Sequence, residues 1–190
     1  MRFSDLEVVT TYTLAAGQSL YRVQRSRGSA VRRGPLKLTP AGLLSGRFDL
    51  PDVPCAYFAE APDTAIYEAL FRREASLLSL HDLRTRELLA LQTGRVLQLG
   101  DLRPHTPNWP VLQSLRFSET QELARDAYAS DMVGLIYKSA QQHGQDCVVL
   151  FDPPAELIVA QTRTPLVGPN NALNRWALHA ARRSKVPLAP

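Results

Sequence analysis

Apolar and polar positions alternate with a period of two along Ser19-Leu20-Tyr21-Arg22-Val23. That pattern predicts a strand with Leu20 and Arg22 on one face and Tyr21 and Val23 on the other. Cys55-Ala56-Tyr57-Phe58-Ala59 is an apolar run of strand length. Pro62 or Asp63 then opens a predicted helix to about Arg73, with Ala65, Ile66, Ala69 and Leu70 as its apolar stripe. Between these segments, Arg27 to Asp52 reads as a glycine- and proline-punctuated loop. A structureless loop of that length is uncommon inside a compact domain and usually serves function.

Farther on, Ala75–His81, Glu87–Gln92 and Arg95–Leu99 read as strands. Asn108 to Pro110 turns into a helical region, with Ser118 as N-cap and Glu119 to Ala129 as the helix. Gly134–Lys138, Cys147–Phe151 and Leu157–Thr162 are three more predicted strands, and Asn171 to Arg183 is a short basic helix. Strands early and late around internal helices predict an α+β fold: a single domain of mixed β-sheets with flanking helices. The core domain is placed at residues 19–165, after an N-terminal extension of residues 1–18. A basic C-terminal helix and tail, residues 166–190, are expected to pack on the same domain.

Length and composition narrow the class. At 190 residues, 45% hydrophobic and 21% charged, the chain has the make-up of one soluble domain with its own core. No apolar run approaches the ~20 residues of a membrane helix. Acids stand at Asp5 and Glu7, where a signal peptide would be basic and then apolar, so a cytoplasmic location and no membrane partner are expected. Cys55 and Cys147 read as free buried thiols. His81, His105, His143 and His179 are scattered, and no metal is expected.

Charge is sharply segregated. Val8 to Phe48 holds seven basic residues and no acid, and the chain after Glu156 holds five more, again with no acid. Asp49 to Glu156 carries sixteen acids against nine bases, a net of −7. The plain reading is a solvated basic face, and the sharper one is a segment that meets an anion. Nucleic acid is one such anion, but the basic segment lacks the interleaved aromatics of a stacking platform.

Glycine-rich phosphate cradles and a nucleophile elbow are absent from the sequence, so a nucleotide would have to be held by side chains. Gly46-Arg47-Phe48-Asp49, Tyr57 and Glu68 stand close enough for a strand-to-helix turn to bring them to one cleft. Arginine offers paired donors to phosphate, tyrosine a ring face and a hydroxyl, and a carboxylate can stabilise a developing cation. Together these residue types suit cleavage of a bond to a ribosyl carbon. Singly, each has a plainer role: Glu68 paired with Arg72 on a helix edge, Tyr57 in the core, Arg22 and Arg47 on the surface, Ser139 capping a turn.

The order Leu20-Tyr21-Arg22-Val23, Gly46-Arg47-Phe48-Asp49, Tyr57-Phe58-Ala59, Thr64-Ala65-Ile66-Tyr67-Glu68 and Gly134-Leu135-Ile136-Tyr137-Lys138-Ser139-Ala140, followed by Cys147-Val148-Val149-Leu150-Phe151, resembles the RES domain. That family is named for an arginine, a glutamate and a serine. Some members carry an aromatic after the first arginine, where Val23 stands here. The resemblance implies a fold similar to ADP-ribosyltransferase toxins and makes residues 19–165 an NAD-binding catalytic domain.

It further implies a toxin that cleaves the N-glycosidic bond of NAD by phosphorolysis or hydrolysis. NAD is then a substrate, no cofactor is needed, and inorganic phosphate is a candidate co-substrate. An Xre-type antitoxin is the implied partner, covering the active site and supplying any contact with nucleic acid. Glu68 and Ser139 are the implied catalytic pair, while Arg22, Arg47 and Tyr57 bind NAD. Arg22 and Arg47 would take the phosphates, Tyr57 the nicotinamide or its ribose, and Ser139 the ribose or the nicotinamide amide. Two alternatives remain: a mono-ADP-ribosyltransferase acting on a protein, and a non-enzymatic nucleic-acid-binding regulator.

Overall fold

Alternating side chains give the central sheet two buried faces. In the computed structural model, which describes residues 5–6, 9–26, 30–38, 40–72, 75–114 and 116–190, this sheet has eight strands. They are β1 (Thr11–Leu14), β2 (Ser19–Arg25), β5 (Cys55–Ala59), β7 (Arg86–Thr93), β8 (Leu97–Asp101), β9 (Gly134–Lys138), β10 (Asp146–Phe151) and β11 (Ile158–Pro165). Their order is β1-β8-β9-β10-β5-β2-β7-β11, antiparallel except for the parallel pair β8–β9. Among the described residues four α-helices accompany them: α1 (Pro62–Ala69), α2 (Leu80–Arg84), α3 (Phe117–Ala129) and α4 (Arg175–Ser184). The α+β reading of the sequence holds.

On one face, Cys55, Ala59, Leu135, Tyr137 and Val149 pack with Ile66 of α1, Leu123 of α3 and Ala177 of α4. On the other, Ala56, Phe58, Ile136 and Val148 pack under Leu36 and Leu38. Those two leucines belong to a hairpin, β3 (Val31–Arg33) and β4 (Leu36–Leu38), which lies inside the segment expected to be a loop. Each arm has only three residues, too short for a period of two to stand out. Gly34 turns the hairpin at φ +54°, and a Cβ there would lie 2.6 Å from the carbonyl oxygen of Ala155.

Several expected boundaries move for physical reasons. Helix α1 stops at Ala69 rather than near Arg73, because Leu70 leaves helical geometry and Leu70 and Phe71 both enter the core. Arg73 itself lies outside the described residues. Of the strand expected over Ala75–His81, only β6 (Leu78–Ser79) forms, pairing with β12 (Leu188–Ala189). Ser79 then caps α2 by accepting from the His81 N–H at 3.1 Å. Ser118 is not the cap of α3: that helix starts at Phe117 with Arg116 at the cap position. Helix α4 starts at Arg175, where the Asn174 side chain accepts from Ala177 N at 2.8 Å. The stretch expected as an N-terminal extension supplies β1, paired to β8 from Thr11↔Gly100 to Leu14↔Leu97. Among the described residues no helix is long and apolar enough to cross a membrane.

One irregularity positions the site. β2 pairs with β7 along its whole length, from Ser19↔Gln92 to Arg25↔Arg86, but meets β5 only at Tyr21↔Ala59. Beyond Tyr21 the sheet is split, and the edge of β2 is open.

Candidate active site

The split forms one wall of a cleft of about 590 Å³, within the range of small-molecule sites. Arg47, Tyr57, Glu68 and Tyr137 line it together with β2, as do Leu43 and Phe117. Four of the seven cations in the basic N-terminal segment, Arg22, Arg25, Lys37 and Arg47, line it. Folding thus gathers part of that charge into a concavity instead of leaving it on a solvated face.

Arg47 is presented by a tight turn. The Asp49 carboxylate accepts from Gly46 N at 2.6 Å and from the Tyr57 hydroxyl at 2.8 Å, while Tyr57 Oη accepts from Phe48 N at 2.8 Å. Gly46 is required by this clasp, since a Cβ would come within 2.6 Å of both Asp49 Oδ1 and Tyr57 Oη. Helix α3 holds the turn from behind. Thr120 Oγ1 donates to Arg47 O at 2.5 Å, and Gln121 Nε2 donates to Gly46 O at 2.8 Å and Leu44 O at 2.9 Å. Burial, then the nearby Asp49 charge, pushes the Tyr57 phenol well above its ordinary pKa, so it remains a neutral donor.

The Arg47 side chain is only 5% exposed, with its guanidinium carbon 5.6 Å from the centre of the Tyr137 ring. Its Nε and Nη1 are buried and have no hydrogen-bond partner. A buried cation with two idle donors is costly unless an anion supplies the acceptors.

Glu68 is held on one oxygen. Its Oε1 accepts from Ser139 Oγ at 2.5 Å, Ala140 N at 3.0 Å and Gln141 N at 3.3 Å. These three bonds tie the carboxylate to the turn that follows β9. Ser139 is 1% exposed and sits behind Glu68, outside the cleft lining. Its single O–H goes to Glu68, and its oxygen accepts from Gln141 N at 3.1 Å and Gln142 N at 2.9 Å. That exhausts a hydroxyl. The expected contact of Ser139 with ribose or nicotinamide is therefore corrected to a positioning role: it caps a turn and aims the carboxylate.

Arg22 also differs from expectation. Its Nη1 donates to Tyr57 O at 2.9 Å and its Nη2 to Lys37 O at 3.3 Å, so the fork bridges the split between β2, β5 and the hairpin. Only Nε is left buried without a partner. Burial lowers this guanidinium to about 10, still charged at neutral pH. Tyr57 likewise lines the cleft, but its hydroxyl is spent on the Arg47 turn.

Arg22, Arg47, Tyr57 and Glu68 thus share one cleft, with Ser139 directly behind. Sequence reasoning missed Asp49, Thr120, Gln121 and Tyr137 as supporting residues. Asp49 and Tyr137 stood inside the quoted motifs, whereas the long-range bonds of Thr120 and Gln121 left no local signal. Ser139→Ala is expected to strand the half-buried Gln142 N–H, to leave Gln141 N only its longer bond to Glu68, and to remove one bond to the carboxylate. Urea unfolding should show a loss of about 1–3 kcal/mol; a change under ~0.5 kcal/mol would contradict this bonding.

Known proteins bear on this geometry in two ways. The family model described as "RES domain" matches residues 19–174, most of the chain. The chain therefore belongs to the RES-domain family. Among solved structures, a chain of the M. tuberculosis MbcT-MbcA toxin-antitoxin complex shares the fold at a TM-score of 0.59 and 15% sequence identity. The match covers 81% of this chain and 86% of that one. No curated protein sequence matches significantly.

Proposed function

We propose that this RES-domain chain is a toxin that cleaves the N-glycosidic bond of NAD and releases nicotinamide. One observation carries the reading: a buried Arg47 with two unpartnered donors and a Glu68 carboxylate held on a single oxygen line the same cleft. The arginine suits the pyrophosphate, and the carboxylate suits the cation that forms as nicotinamide leaves.

In this mechanism Arg47 binds the pyrophosphate, with the Arg22 charge in support. Glu68 faces the nicotinamide ribose, where it can accept from the ribose hydroxyls. As the bond from C1′ to the pyridinium nitrogen breaks, its electron pair goes to nicotinamide, which departs neutral. The positive charge passes to C1′ and the ring oxygen, beside Glu68. Phosphate or water then attacks C1′ and, in the case of water, a proton is lost to solvent. The leaving group needs no protonation, so no strong general acid is required.

The MbcT-MbcA complex is described as a toxin–antitoxin pair. By extension, this chain is proposed to act inside the cell that makes it, restrained by an Xre-type antitoxin that covers the cleft and makes any contact with nucleic acid. Production without an inhibitor should stop bacterial growth and lower intracellular NAD. Normal growth at unchanged NAD, in cells shown to contain folded protein, would overturn the proposal.

A further inference from the structure

The open edge of β2 ends in a group of cations that the proposed cleavage does not use. Arg25 and Arg86 stand directly opposite each other across the β2–β7 ladder, and both line the cleft. Like charges in that register repel. The end of the ladder is clasped, because Ser26 donates to Thr85 O from its backbone N at 2.7 Å and from its Oγ at 3.0 Å. Lys37 adds a third cation: its Nζ donates to the carbonyl oxygen of Ser26, the residue after Arg25.

Among the described residues, no carboxylate forms an ion pair with this group. Asp82 on α2 acts on Arg86 through space but forms no ion pair with it, and Arg86 Nε is buried without a hydrogen-bond partner. Glu87, next in β7, is engaged by Arg163 at 3.0 Å and by Gln24 at 2.8 Å. Burial and then the Arg25 charge hold the Arg86 guanidinium below its ordinary pKa. The fold therefore maintains a repulsive cluster at the end of a cleft already supplied with Arg47.

We propose that Arg25, Arg86 and Lys37 form a second anion subsite, separate from Arg47, that takes a dianionic phosphoryl group. Two sources share that chemistry: the 2′-phosphate of NADP and free inorganic phosphate. The subsite extends the reading of the cleft as a dinucleotide site, but phosphate affinity can be measured without turnover.

Calorimetric titration of the full chain with inorganic phosphate is the primary test, with thermal melts confirming that each variant folds. Wild type is expected to bind phosphate, and Arg86→Gln to weaken it by about tenfold or more. Arg25→Gln, at an exposed position, should act in the same direction, while Arg182→Gln on α4 should match wild type. NAD and NADP titrations identify the source. A preference for NADP that shrinks in Arg86→Gln assigns the 2′-phosphate; no such preference, with phosphate binding alongside NAD, assigns the free anion.

The subsite is overturned if wild type does not bind phosphate, or if both Gln variants bind it like wild type. It is also overturned if phosphate competes with NAD and Arg86→Gln weakens NAD as much as NADP, since the cluster would then hold the pyrophosphate. Phosphate binding that depends on Arg86 in a protein that neither binds nor cleaves NAD would retain the subsite and refute the proposed function instead.

Discussion

Glu68→Gln is expected to lower kcat for NAD cleavage by about 10²–10³-fold, with a much smaller change in NAD affinity. Positive charge grows on the ribose carbon only as nicotinamide leaves. A carboxylate beside that carbon therefore stabilises the transition state more than bound NAD, and the difference is what accelerates the step. Ser139 Oγ, Ala140 N and Gln141 N all donate to Oε1, and a glutamine amide oxygen can accept the same three bonds. The substitution thus removes charge while keeping shape, and the melting temperature should change little. A folded Gln variant that turns over NAD at the wild-type rate would take Glu68 out of the mechanism.

Arg47→Lys is expected to cost about 1–3 kcal/mol in kcat/KM, or roughly fivefold to 150-fold. Lysine keeps the charge but loses the planar fork that places two donors on one phosphate. The supporting shell stays, because Thr120 and Gln121 hold the backbone of the Arg47 turn rather than the side chain. Arg22→Lys makes a useful comparison. Its fork serves Tyr57 O and Lys37 O, so the main loss there should be in stability rather than in substrate binding. If Arg47→Lys matches wild type and Arg22→Lys alone loses turnover, phosphate recognition belongs to Arg22.

The central strands were legible because they are buried on both faces. Cys55–Ala59 and Gly134–Lys138 are apolar runs bounded by turn residues, and their limits coincide with the observed strands. The β3–β4 hairpin was hidden because three-residue arms carry too few alternations, and it exists only where Leu36 and Leu38 cover the sheet. The end of α1 was misjudged for a tertiary reason, since burial of both Leu70 and Phe71 outweighs another helical turn.

At the site, the residue types were legible and their division of labour was not. That Arg47 is buried with idle donors depends on α3, more than 70 residues away along the chain. That Ser139 faces Glu68 rather than the cleft depends on the turn through Gln142. Neither fact has a local sequence signature.

The most direct measurement of the central claim is NMR of NAD incubated with the purified protein, with and without inorganic phosphate. The expected result is many turnovers per protein molecule: free nicotinamide appears together with ADP-ribose when water is the acceptor, or with its 1-phosphate ester when phosphate is. NAD left intact by folded protein under both conditions would contradict the account, and consumption limited to one equivalent of a labelled protein acceptor would replace it with an ADP-ribosyltransferase.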